Sequence, residues 1–155
     1  MEFRTIKEDG QVQEEIKKSR FICSLARVNS EAEAEQFIEH IKTQERKATH
    51  NCFAYLIGDD DHIQRESDNG EPSGTAGVPI LKALQMAGVH GVCAVVTRYF
   101  GGIKLGAGGL IRAYSNACSG AIEQAGLVQK VSQALLAIDV DYAQHDPLKY
   151  FLSQQ

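Results

Sequence analysis

Tryptophan is absent from the 155-residue sequence, and proline occurs only three times. No apolar stretch approaches the ~20 residues that a membrane-spanning helix needs. The opening Met1-Glu2-Phe3-Arg4-Thr5 has no apolar segment of the kind found in signal peptides. Cys23, Cys52, Cys93 and Cys118 form no C-x-x-C pair, which argues against a zinc or dithiol motif, and each sits among apolar neighbours as a small core residue would. These absences point to a cytoplasmic chain with reduced thiols and no membrane contact. The most informative gap is electrical. Between Pro72 and Ile122 there is no Asp or Glu, only Lys82, Arg98, Lys104 and Arg112. That segment carries +4, and because the whole chain carries −4, the remainder carries −8. Such a chain does not coat nucleic acid wholesale, but it can hold one local basic site.

The residues that are present describe a globular α/β protein. With 43% apolar residues, a chain of this length buries roughly two thirds of its unfolded surface without disulfide or metal staples. Residues 1–11 read as a loose or edge segment, and Gln13–Lys18 as a short polar run with no clear strand signal. Phe21–Val28 and Cys52–Ile57 are apolar runs bounded by polar residues, as strands are. Ser30-x-x-Glu33 has capping-box spacing, and Ala34, Phe37, Ile38 and Ile41 follow on one helical face; the helix is expected to end between Lys42 and Arg46. Gly58-Asp59-Asp60-Asp61 turns the chain toward a short polar partner at Ile63–Ser67. The Asp59–His62 cluster lacks the Gly and the distal Glu of a calcium loop, so a solvated turn is expected and no metal is assigned.

Gly91–Thr97 is a near-continuous apolar strand of the kind buried on both faces. Pro79 fits the first turn of a helix carrying Ile80, Ala83, Leu84 and Ala87, closed by Gly88. Leu110, Ile111, Tyr114, Ala117, Cys118, Ala121, Ile122 and Ala125 mark a longer helix, closed by Gly126. Val128–Gln133 reads as a connector. Leu136, Ile138, Val140 and Tyr142 then alternate as a half-buried strand, and Asp146-Pro147 opens a helix with Leu148, Phe151 and Leu152. A lone strand and half a helix cannot bury their apolar sides. A domain over 1–127 is therefore expected, with 134–155 as the first strand and partial helix of a second one. Either the sequence is cut short there, or the tail packs on the main domain or on another chain.

Two Gly-rich loops, each feeding a helix, carry the functional signal. The second, Arg98-Tyr-Phe-Gly-Gly-Ile-Lys-Leu-Gly-Ala-Gly-Gly-Leu-Ile-Arg112, is charged only by its three cations. Glycine lets backbone approach a ligand, and helix-start N–H groups lack intrahelical partners, so Gly101, Gly102, Gly106, Gly108 and Gly109 with Arg98, Lys104 and Arg112 form a candidate anion site. No nucleotide fingerprint fits. Lys104 is followed by Leu105 where a Walker motif needs Ser or Thr, and Gly106–Ile111 lacks the last Gly of G-x-G-x-x-G. The first loop, Ser67–Gly77, offers Asp68, Glu71, Ser73 and Thr75, but Ser73 sits one place late for a G-x-S-x-G elbow. His50 is a general-base candidate, with a hydrogen-bonded structural role weighing more. Glu71 could cap a helix or pair with Arg98 or Arg112. Tyr99 and Phe100 either stack on bases or plug the core beneath the loop, with the plug favoured.

Asn69–Leu81 and Val95–Tyr114 resemble the two signatures of the IMPACT family, and Ala48-Thr-His-Asn-Cys-Phe-Ala54 resembles the pattern of its bacterial YigZ-like members. The similarity covers about residues 16–126. Asn69 departs from it, since an Asp is expected there in most members. The resemblance implies a two-layer α+β sandwich like the second domain of the small-subunit ribosomal protein five, shared with elongation factor G domain IV and galactokinase-type kinases. It also implies a ferredoxin-like second domain, of which 134–155 would be the start. Its eukaryotic relative restrains the amino-acid-starvation kinase by competing for that kinase's activator. The function expected is a translation-linked binding protein that recognises RNA, the ribosome or a translation-regulatory protein through Arg98, Lys104, Arg112, Glu71, Ser73, Thr75 and the loop glycines. No catalytic residue and no cofactor is assigned, and the oligomeric state is left open. The alternatives are an enzyme acting on a small phosphorylated molecule or nucleotide, and a pure protein-interaction module.

Overall fold

The computed structural model describes residues 2–58, 60–132 and 137–140. In chain order its elements are β1 (Glu2–Ile6), β2 (Gly10–Ile16), β3 (Ser19–Arg27), α1 (Glu31–Gln44), β4 (His50–Ile57), β5 (Ile63–Ser67), α2 (Gly77–Ala87), β6 (Val92–Tyr99), α3 (Gly106–Ala125), β7 (Leu127–Ser132) and β8 (Ala137–Val140). The apolar run at Val92–Val96 lies where its composition demands, in the centre of an antiparallel sheet ordered β2-β3-β6-β4-β5. Side chains along a strand alternate between faces, and the core divides accordingly. Phe53, Tyr55, Ile57, Cys93 and Val95 pack with Ala34, Ile38 and Ile41 of α1 on one face. Cys52, Ala54, Leu56, Ala94 and Val96 pack with α2 and α3 on the other. The sheet and the α2–α3 pair are the two layers that the resemblance implied, and α1 adds a helix on the opposite face.

Ser30 caps α1 by accepting from the Glu33 N–H at 3.2 Å. Glu33 reaches back to the Asn29 N–H at 2.9 Å, one residue before the position a standard capping box would use. All four cysteines are free and buried, and no described helix is long and apolar enough to cross a membrane. At the acidic turn, Asp60 accepts from the His62 ring at 2.7 Å and Asp61 pairs with His90 at the same distance.

Three expectations change. The presumed connector after Gly126 is strand β7, antiparallel to β1, so the N-terminal residues form an ordered edge. Its polar Gln129-Lys130 centre breaks the alternation that would have marked it. Helix α3 starts at Gly106, four residues before the apolar periodicity begins, so three of the loop glycines form its first turn. Of the expected second unit, only 137–140 is described, and it pairs with β7; the helix expected after Asp146 lies outside the described residues.

Candidate functional site

Both Gly-rich loops lie beside the end of β6 that carries Arg98, but they treat their helix ends in opposite ways. In the first loop the carboxylate of Asp68 accepts from the backbone N–H groups of Gly74, Ala76 and Gly77 at 2.9, 3.1 and 2.8 Å. Ala76, at the cap position of α2, has no side chain able to do this, and Asp68 supplies the cap from eight residues upstream. Burial pushes the Asp68 carboxyl up, but the three amide donors together outweigh it and hold the group below its usual range. Thr75 is buried and its hydroxyl donates to the Pro72 carbonyl at 2.6 Å, while Ser73 is exposed. This loop satisfies itself.

The second loop leaves its helix end open. No side chain caps α3, no acid lies in its first turn, and Gly106, Ala107 and Gly108 are exposed. The preceding segment is fixed instead by packing. The Gly101 N–H donates to the Ser19 hydroxyl at 3.2 Å, and a Cβ on Gly101 would overlap the Lys18 carbonyl. Backbone cannot yield there as a side chain can, so Gly101→Ala is expected to cost about 1–3 kcal/mol in chemical denaturation, as overpacking does. Gly102 has φ +93°, which favours glycine without any steric contact.

Beneath the loop lies a buried polar cluster. Arg98 is 5% exposed, and its Nη1 donates to both carboxylate oxygens of Glu71 at 3.2 and 2.9 Å. Its Nε donates to Ser19 Oγ at 3.3 Å. The Tyr114 hydroxyl donates to Glu71 Oε2. Burial, with Cys52 and Glu71 alongside, pushes the Tyr114 hydroxyl well above its usual range. Burial likewise pushes the Cys52 thiol up to about 12, leaving it protonated and unreactive. His50 Nδ1 donates to the Asn69 carbonyl at 2.9 Å and turns Nε2 toward Glu71 Oε1 at 3.4 Å. Asn69, the departure noted in the sequence, uses its side-chain oxygen to accept from the Asn51 N–H at 2.7 Å.

A cleft of about 430 Å³ opens above this cluster. Its buried floor contains Glu71, Arg98 and Leu110, with His50 half-buried beside them. Pro72, Phe100, Lys104, Gly106 and Ala107 form exposed rims. Of the residues singled out in the sequence, Glu71, Arg98, Lys104 and Gly106 therefore meet at one cleft. Ser73, Thr75, Gly101, Gly102, Gly108, Gly109 and Arg112 do not line it. Arg98 is not a free surface cation: Glu71 offsets its charge, so the positive field comes from Lys104 and the α3 dipole. Phe100 is not a core plug, being 47% exposed, while Tyr99 is half-buried and donates its hydroxyl to Glu45. The sequence reading missed Tyr114 as a partner of Glu71. Its signal was a lone hydroxyl on an otherwise apolar helix face, which needs an acceptor at depth.

Residues 17–122, which include every residue lining the cleft, match the Impact N-terminal domain. The chain belongs to the IMPACT family. It is 54% identical to the IMPACT family member YvyE of Bacillus subtilis over 89% of its own length and 64% of that protein's. It is 40% identical to the IMPACT family member YigZ of Escherichia coli over 92% of its length and 71% of that protein's. The chain thus spans just under two thirds of YvyE. A solved structure described as the crystal structure of a hypothetical protein superposes with a TM-score of 0.81 at 41% identity, covering 84% of this chain and 65% of the other. The IMPACT match starts before β3 and ends within α3, so β1, β2, β7 and β8 lie outside it.

Proposed function

We propose that this IMPACT-family chain is a translation-linked binding protein whose cleft recognises phosphate on RNA or the ribosome. The observation that carries this reading is the contrast between the two helix ends. The chain fills the α2 end with its own carboxylate and leaves the α3 end open beside Lys104, in a cleft with an exposed aromatic wall. Open helix-start amides, a lysine and an aromatic ring suit a phosphate with an attached base. The carboxylates on which the enzyme alternative would draw are both engaged: Glu71 is held by Arg98 and Tyr114, and Asp68 by three amides. Membership of the IMPACT family supports the link to translation.

Ribosome and single-stranded RNA association, measured at several salt concentrations, tests the proposal. Lys104→Ala is expected to weaken binding and to reduce the slope of log affinity against log salt by about 1. Arg112→Ala, outside the cleft, is expected to leave both nearly unchanged. Binding that is indifferent to salt and to Lys104 would refute the phosphate reading and favour a protein partner.

A further inference from the structure

Resting on the phosphate-binding reading of the cleft, we infer that the Lys17-Lys18 turn is a second phosphate contact, over which an RNA strand seated in the cleft continues. The sequence holds a second acid-free stretch. Between Ile16 and Val28 there is no Asp or Glu, only Lys17, Lys18, Arg20 and Arg27. Pairing of β3 with β6 brings the start of this stretch beside the second Gly-rich loop, with Arg20 opposite Tyr99. Ser19 makes the join. Its hydroxyl accepts from Arg98 Nε in the cleft floor at 3.3 Å and from the Gly101 N–H at 3.2 Å. The Lys18 carbonyl fills the space a Gly101 side chain would need, and the Lys18 Cβ lies 2.7 Å from that same position. The Lys18 side chain therefore starts against the loop that carries Phe100 and Lys104, both on the cleft rim.

The turn is built against local preference. Ile16 and Ser19 close the ladder between β2 and β3, so Lys17 and Lys18 are its two central residues, at φ +47° and +69°. Positive φ at both positions marks a type I′ turn, for which Asn-Gly is the favoured pair. Lysine seldom adopts that backbone, and residues held in such conformations cluster where a chain meets a ligand. Both lysines are exposed. Among the described residues neither is in an ion pair, whereas Arg65 and Arg98 are held by Glu35 and Glu71. The acids of this hairpin, Glu14 and Glu15, lie on the β2 limb before the tip. Glu15 is the cross-strand partner of Arg20, yet the Arg20 guanidinium carbon sits 4.3 Å from the centre of the Tyr99 ring. Cations thus alternate with ring faces from Lys104 and Phe100 to Lys18, Lys17 and Arg20 on Tyr99. A single strand, with a phosphate and a base in every repeat, matches that alternation.

The test is fluorescence anisotropy with a single-stranded RNA of about 12 nucleotides, within the ~4–16 that single-strand-binding folds cover, at several salt concentrations. Lys17→Gln with Lys18→Gln removes both charges and leaves the demand on the backbone. It is expected to weaken binding about tenfold near 0.15 M salt and to lower the slope of log affinity against log salt by about 1.4, at ~0.7 per phosphate contact on a single strand. Lys17→Asn with Lys18→Gly should lose as much affinity while raising Tm by about 2–4 °C, because that pair suits the turn. Opposite movements of Tm and affinity separate a lost contact from a folding defect. Lys82→Ala, which removes an exposed cation on α2, should bind as wild type. An equal loss per charge in Lys82→Ala would reduce the effect to net charge and overturn the inference. Binding that depends on salt and Lys104 but ignores both hairpin variants would overturn the turn as a contact and leave the cleft reading intact. A loss in the hairpin variants with none in Lys104→Ala would overturn the continuous path. Absence of salt-sensitive binding by the wild-type chain would overturn both.

Discussion

Glu71→Ala is expected to destabilise the protein by about 3–5 kcal/mol in urea or thermal unfolding. Removing one member of a buried ion pair leaves the other charge without compensation. Here Arg98 would remain at 5% exposure with its Nη1 unmatched, and the Tyr114 hydroxyl would lose its acceptor at the same depth. The pair itself need not contribute net stability, because desolvation offsets much of the Coulomb gain. The double variant Glu71→Leu with Arg98→Met is therefore expected to recover most of the loss. A Glu71→Ala variant as stable as wild type would mean that water reaches the cluster and that the floor of the cleft is not closed.

Asp68→Ala is expected to cost about 1.5–3 kcal/mol, the range of hydrogen bonds to a charged group. Three amides lose their acceptor, and the start of α2 loses its only side-chain cap. The pH dependence has a definite sign. The folded carboxyl is held below its ordinary value, so the unfolded state takes up the proton first as pH falls. The stabilisation from Asp68 is complete above the unfolded value, about 3.9, and is lost as pH drops through the folded one. Asp68→Asn should therefore be less stable than wild type at neutral pH, and the gap should narrow below about pH 4. Parallel stability curves for the two proteins through that range would show that the charge of Asp68 does not matter.

What the sequence made legible was set by periodicity and by strong local chemistry. The strand at Val92–Val96, the helix after Ser30 and the turn at Gly88 were all readable because each needs only near neighbours. β1 and β7 were not, because their polar residues break the alternation that marks a strand and the two are far apart in sequence. At the site, the loop glycines and Lys104 were visible as a motif. Their division of labour was not, since Gly101 faces the Lys18 backbone while Gly106 begins a helix. The role of Arg98 was hidden for a related reason. A cation in a Gly-rich segment reads as a ligand contact until its neighbour in space is known, and Glu71 lies 27 residues away. Asp68 as a remote cap falls in the same class, where a side chain eight or nine residues upstream does what a local Ser or Thr would ordinarily do.

The polar edges of the five-stranded sheet have a consequence for self-association. An apolar strand such as Val92–Val96, placed at a sheet edge, would template pairing with other copies of the chain and seed aggregation. In this sheet it lies two strands in from either edge. The outer positions belong to β2, with Gln13, Glu14 and Glu15, and to β5, with Gln64, Arg65 and Glu66. Charged, short edges resist intermolecular strand addition. The polar residues of β2 and β5 thus keep the stickiest segment of the chain from meeting its own copy.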